Sequence, residues 1–135
     1  MNLATEFHDS ELTSVEKRGD SIELCFDACI HGSEGTPGRD AGKSWYQDVV
    51  LVVGGGVVKG EITNWPAELY DGTLELEIDG GTIQNVVPLP LGRTGSIRLT
   101  LKPSFYDGAL VVLGNRVRFE LSPGVPGFID DFPGL

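Results

Sequence analysis

Cationic side chains are scarce in this chain. Lys and Arg number 10 against 20 Asp and Glu in 135 residues, a formal net charge of −10. Binding phosphates takes clustered Lys and Arg, so the balance argues against nucleic acid and against an anionic membrane surface as partners. Long apolar runs are missing as well. The longest, Val49 to Val53, has five residues, against the roughly 20 a membrane-crossing helix needs. The opening MNLATEFHDS has neither a basic stretch nor an apolar one, so it does not read as a signal peptide. There are only 2 cysteines. Cys25 and Cys29 fall in a segment that reads as one strand, which separates their Cα atoms by about 13 Å, beyond disulfide reach. The expectation is two reduced thiols on one strand face of a cytoplasmic protein, with no metal and no other cofactor.

Motifs for chemistry are equally thin. No serine stands in a G-x-S-x-G elbow. No stretch has the Asp/Asn spacing of a calcium loop. Gly54-Gly55-Gly56 is followed by no Lys-Ser/Thr and no helix, so it reads as a link between strands and not as a phosphate cradle. The 2 histidines are His8 and His31. His8-Asp9 precedes the first expected strand and His31 follows the second, so a hairpin would bring them near each other. A His–Asp–His cluster with metal or catalytic chemistry is one reading. The other is packing at a sheet end, with Asp9 bonding backbone N–H groups in a turn. The balance of these absences predicts a protein that is not an enzyme.

Glycine and proline are plentiful, 19 and 8 residues, too many for a helical bundle. Apolar residues recur with period two. Ile22, Leu24, Phe26, Ala28 and Ile30 alternate with Glu23, Cys25, Asp27 and Cys29; similar stripes run through 74–78, 97–102 and 117–121. Each reads as a strand with one buried and one wet face, the mark of antiparallel sheets. Expected strands fall near 12–17, 22–30, 49–53, 57–63, 74–78, 82–87, 97–102, 110–113 and 116–121. Pro66–Tyr70 could form one helical turn. This predicts one all-β domain over residues 1–135, an antiparallel sandwich or flattened barrel of about nine strands with little or no helix. Residues 31–44 read as a long flexible loop. Residues 122–135 read as a Pro/Gly-rich tail, docked through Phe128, Ile129 and Phe132.

The acidity is uneven: residues 1–79 carry 16 acids and 5 bases, residues 80–135 carry 4 and 5. It serves solubility, or it forms a one-signed surface that draws in a basic partner. Glu75, Glu77 and Asp79 share one strand face and are the candidate contacts, with Trp65 and Tyr70 as anchors. The alternative partner is a carbohydrate or small ligand stacked on Trp45, Tyr46, Trp65 and Tyr70. A structural subunit, or a homodimer through a sheet edge, is a further alternative.

Residues 7–27, FHDSELTSVEKRGDSIELCFD, resemble the start of a group of small bacterial proteins. Their pattern is Phe/Trp-His-Asp-Ser/Ala-Glu-hydrophobic followed by a two-strand hairpin, matched here by Phe7, His8, Asp9, Ser10 and Glu11. QDVVLVVGGGVVKGEITN is similar to their following apolar strands, so the resemblance spans residues 7–64. Some of those families are immunity proteins of polymorphic toxin systems; others are uncharacterised. The resemblance implies a small cytoplasmic β-rich protein without catalysis; together with the acidic strand faces, the expectation is a protein-binding module, an immunity protein neutralising a basic toxin by occlusion.

Overall fold

Alternating side chains leave each strand one apolar face, and the strands here are long enough to wrap those faces around a single axis. A computed structural model of the chain describes residues 1–77, 81, 83–104 and 108–135. Among them lie ten strands and no helix. These are β1 (Asn2–Arg18), β2 (Ser21–Ser33), β3 (Gly42–Gly54), β4 (Val57–Lys59), β5 (Ala67–Leu76), β6 (Ile83–Gln84), β7 (Val86–Leu89), β8 (Leu91–Pro103), β9 (Leu110–Leu121) and β10 (Asp130–Phe132). The order β3-β2-β1-β5-β8-β9 closes on itself, because β9 also pairs with β3 from Val49↔Leu121 to Gly54↔Arg116. The result is a six-stranded antiparallel barrel, with β4, β6, β7 and β10 attached outside it.

A barrel therefore replaces the expected sandwich. Alternation is common to both architectures. What separates them is how far each strand coils, and here β1 runs 17 residues and β2, β3 and β8 run 13 each. Two register shifts in β1, one in β5 against β8 and one in β8 against β9 add local twist. Six strands enclose too little space for a lumen. Phe7, Phe26 and Phe119 fill the axis, with each pair of ring centroids 6.0 Å apart. Leu12, Leu24, Leu51, Leu74, Leu99 and Val112 are fully buried around them.

Several boundaries move. The first strand begins at Asn2, so His8 and Asp9 lie inside it and not before it. The loop expected over 31–44 shrinks, because β2 continues to Ser33 and β3 starts at Gly42; His31 and Ser33 are buried. The turn expected at Pro66–Tyr70 is strand from Ala67 onward, since Ala67 and Leu69 point into the core and Glu68 and Tyr70 point out. In the tail, β10 pairs with the start of β3. Phe132 is half-buried there, while Phe128 and Ile129 stay exposed.

Candidate functional site

The Phe-His-Asp-Ser run forms a wide bulge in β1. Glu6 pairs with Cys29 and Glu11 pairs with Asp27, so Phe7, His8, Asp9 and Ser10 stand opposite Ala28 alone. The extra backbone sends Phe7 into the core and His8 and Asp9 outward. Asp9 sits in the left-handed region at φ 68, which Asp tolerates better than most residues. Ser10 ties the bulge shut. Its buried Oγ donates to the Glu6 carbonyl at 2.5 Å and accepts from the Cys29 N–H at 2.9 Å. Gly72 makes room for the wedge, since a Cβ there would lie 2.7 Å from Cβ of Phe7.

Just below the bulge, four carboxylates line up across four strands. Glu68 on β5 pairs with Glu11 on β1, Glu11 with Asp27 on β2, and Asp27 with Asp48 on β3. All four lie on the outer face, since the residues that follow them, Leu69, Leu12, Ala28 and Val49, are buried in the core. Like charges directly opposite one another are unfavourable in a sheet. Burial, and then the charge of Asp48, hold the Asp27 carboxyl above its usual range. Among the described residues, Glu11, Asp27, Asp48 and Glu68 make no ion pair with a basic side chain. At one end of the row a pocket of about 230 Å³ is lined by Glu11 and Glu68 together with Ile62, Asn64, Pro66, Ala67 and Pro103.

Just above the bulge, Glu6, Cys29 and His31 converge. The Nε2 of His31 lies 2.7 Å from a Glu6 carboxylate oxygen and 3.8 Å from the Cys29 sulfur. The two contacts hold the His31 imidazole in its protonated form up to about 9, Cys29 first and Glu6 second, against the opposing effect of burial. Phe132 packs edge-on against the ring at 4.9 Å. Nδ1 of His31 is buried and makes no hydrogen bond to the described residues. Tyr46 and Asp9 share the groove above this cluster.

The expected residues are dispersed. His8 donates from Nδ1 to the Tyr70 carbonyl at 2.6 Å and lies 3.5 Å from Asp9. Both contacts raise its proton affinity, the carbonyl more than the carboxylate. His31 turns to Glu6 and Cys29, so the three residues form no joint His–Asp–His centre. Glu75 is matched with Arg98 at 3.1 Å across β5 and β8. Glu77 turns the chain at φ 53, its N–H bonded to the Ser96 carbonyl at 2.7 Å. Asp79 lies outside the described residues. Trp65 and Tyr70 are 46% and 53% exposed, and Tyr70 lies two residues beyond Glu68 on the same face of β5. Tyr46 faces out, whereas Trp45 packs against the core and bonds Gln47 through Nε1 at 3.0 Å. Those two rings do not share a platform.

Glu6, Asp27, Asp48 and Glu68 are not marked as site residues by the sequence, where Glu11 enters only through the resemblance and Cys29 only as a reduced thiol. Cys29-x-His31 was the visible signal, because two residues apart on a strand means the same face. The other partners come from neighbouring strands, and no spacing in the chain gives their register. No family model matches the chain, and neither a curated protein nor a solved structure matches it.

Proposed function

We propose that this protein is a non-catalytic binding module that grips a basic protein surface, in the manner of an immunity protein occluding a toxin. One observation carries the reading: Glu68, Glu11, Asp27 and Asp48 stand in register on one outer face with no basic side chain paired to them among the described residues. A sheet that keeps such a row bears a repulsive cost that a cationic partner would relieve. The pocket at Glu11 and Glu68 supports the same partner chemistry. A Lys or Arg side chain has an apolar stem and a charged head, which suits a pocket lined by Ile62, Pro66, Ala67 and Pro103 as well as by Glu11 and Glu68. Tyr70 and Trp65, both exposed, offer aromatic contacts near that end. Charge would speed the encounter, and the seated side chain would set the residence time.

The test compares two variants of equal net charge. Binding of an Arg/Lys-rich peptide is titrated against Glu11→Gln with Glu68→Gln, and against Glu16→Gln with Glu23→Gln. The second pair already contacts Arg18 at 2.7 and 3.3 Å. The first variant is expected to weaken binding about tenfold, the equivalent of about 1.4 kcal/mol, and the second by less than about twofold. Equal losses in both would mean that the peptide answers only to net charge, and the reading would fail.

A further inference from the structure

The Glu6–Cys29–His31 cluster lies outside the carboxylate row, and its chemistry is different. Three unlike donors, an oxygen, a sulfur and a nitrogen, lie within 4.8 Å of one another. Two arrangements of such a trio have known uses. In a catalytic relay the acid holds one imidazole nitrogen and the thiol faces the other. Here the carboxylate and the sulfur both approach the same atom, Nε2 of His31. Three donors gathered around one imidazole nitrogen can close about an ion, whereas a relay would need the acid on the other ring nitrogen.

We propose that Glu6, Cys29 and His31 form a binding site for a divalent metal ion of zinc type. Bond lengths of about 2.0 Å to nitrogen and oxygen and 2.3 Å to sulfur, at tetrahedral angles, put ligand atoms about 3.3 Å (N to O) and about 3.5 Å (S to N or O) apart. The observed separations are 2.7 and 3.8 Å. Seating an ion therefore needs shifts of roughly 0.6 and 0.3 Å in these two, and the Cys29 sulfur and Glu6 oxygen, within 4.8 Å of each other, must close to about 3.5 Å. The mixture of thiolate, imidazole and carboxylate suits zinc and its cobalt substitute better than calcium or magnesium, which take oxygen ligands. A thiolate and a carboxylate neutralise the two charges of the ion, so the filled centre has no net charge in a half-buried place.

The scaffold is stiff where the site needs it. Cys29 and His31 share the outer face of β2, and Glu6 is the cross-strand partner of Cys29. Ser10 clamps both strands at that level through the Glu6 carbonyl and the Cys29 N–H. His31 is 5% exposed, so its ring is fixed by packing, with Phe132 on one edge. The fourth position opens on the groove beside Tyr46 and would hold water. Nothing in the site depends on the carboxylate row, so the two readings stand or fall separately.

The experiment uses the full chain, stripped with EDTA and titrated with Co2+ under reducing conditions. The expected result is stoichiometric uptake with a thiolate-to-cobalt band in the near ultraviolet, displaced by Zn2+. Cys29→Ser is expected to abolish the band, and Glu6→Gln to weaken uptake at least tenfold. Cys25→Ser, on the same strand face, is expected to change neither. Circular dichroism confirms that each variant is folded; Cys29 is only partly buried, so its loss leaves the core intact. Absence of the band in the wild-type protein would reduce the cluster to a Glu6–His31 ion pair and overturn the proposal. So would a band that survives Cys29→Ser or disappears with Cys25→Ser.

Discussion

The two sides of the barrel treat charge in opposite ways. On the β8–β9 side, three bases have acidic partners: Arg98 meets Glu75, Arg116 meets Asp20 at 2.8 Å and Arg118 approaches Glu120 at 3.7 Å. On the β5–β1–β2–β3 side, Glu68, Glu11, Asp27 and Asp48 stand in a row, with no basic partner among the described residues. Exposed pairs add little to stability, at most about 1 kcal/mol each, so the matched side is not there to hold the fold together. Four of the 20 acids thus stand together, and a one-signed face of this kind attracts charge of the opposite sign.

The sharpest way to break this contrast is to unfasten the bulge that separates the row from the cluster above it. Ser10→Ala strands a carbonyl and an N–H and is expected to cost about 2–4 kcal/mol, read as a lower urea midpoint. No change would mean the bulge holds without its serine. Next in size, Glu11→Lys with Glu68→Lys is expected to lower affinity for a basic peptide by more than about tenfold, whereas Glu75→Lys with Glu77→Lys lowers it less than about threefold. Equal losses would erase the distinction between the two sides. On the matched side, Arg98→Ala is expected to cost about 0.5–1 kcal/mol by removing an exposed pair, measured by thermal unfolding.

The smallest effect has the opposite sign. Asp48→Asn removes a like-charge neighbour of Asp27 and is expected to add a few tenths of a kcal/mol at neutral pH. The Asp27 carboxyl holds its proton more tightly in the folded state than in the unfolded chain. Its contribution is therefore full at acid pH and is lost as pH rises through the raised value. The gain from Asp48→Asn should accordingly fade in acid, where the Asp27 carboxyl carries its proton and no longer meets its neighbour as a charge. A gain that persists in acid would assign the effect to something other than charge.

The sequence made the faces of the strands legible and left their neighbours hidden. Ile22, Leu24, Phe26, Ala28 and Ile30 point inward as their period-two spacing requires. Gly54-Gly55-Gly56 marks strand ends as expected, and Gly19-Asp20 turns β1 into β2. Alternation also put Cys25 and Cys29 on one outer face, where both are partly exposed. Bulges escaped notice, because a bulge shifts register without changing composition. Phe7-His8-Asp9-Ser10 read as residues before a strand, yet it is the place where β1 gains three residues on β2. Glu75 and Glu77 stood out as an acidic stripe because they are close in sequence. Glu68, Glu11, Asp27 and Asp48 did not, because their proximity comes from pairing between strands.

Barrel closure also bears on the order of events in folding. The seam joins residues 49–54 to residues 116–121, so more than sixty positions of chain must be placed before it can zip. The β1–β2–β3 meander needs only short turns to form and can assemble early. Its far edge then waits, with hydrogen-bonding groups open, until β9 arrives. Chains dominated by such distant pairings fold slowly, typically over milliseconds to seconds. During that interval, mutual repulsion between chains that display the same acidic stripe would keep the waiting edges apart, a service the stripe performs before any partner is met.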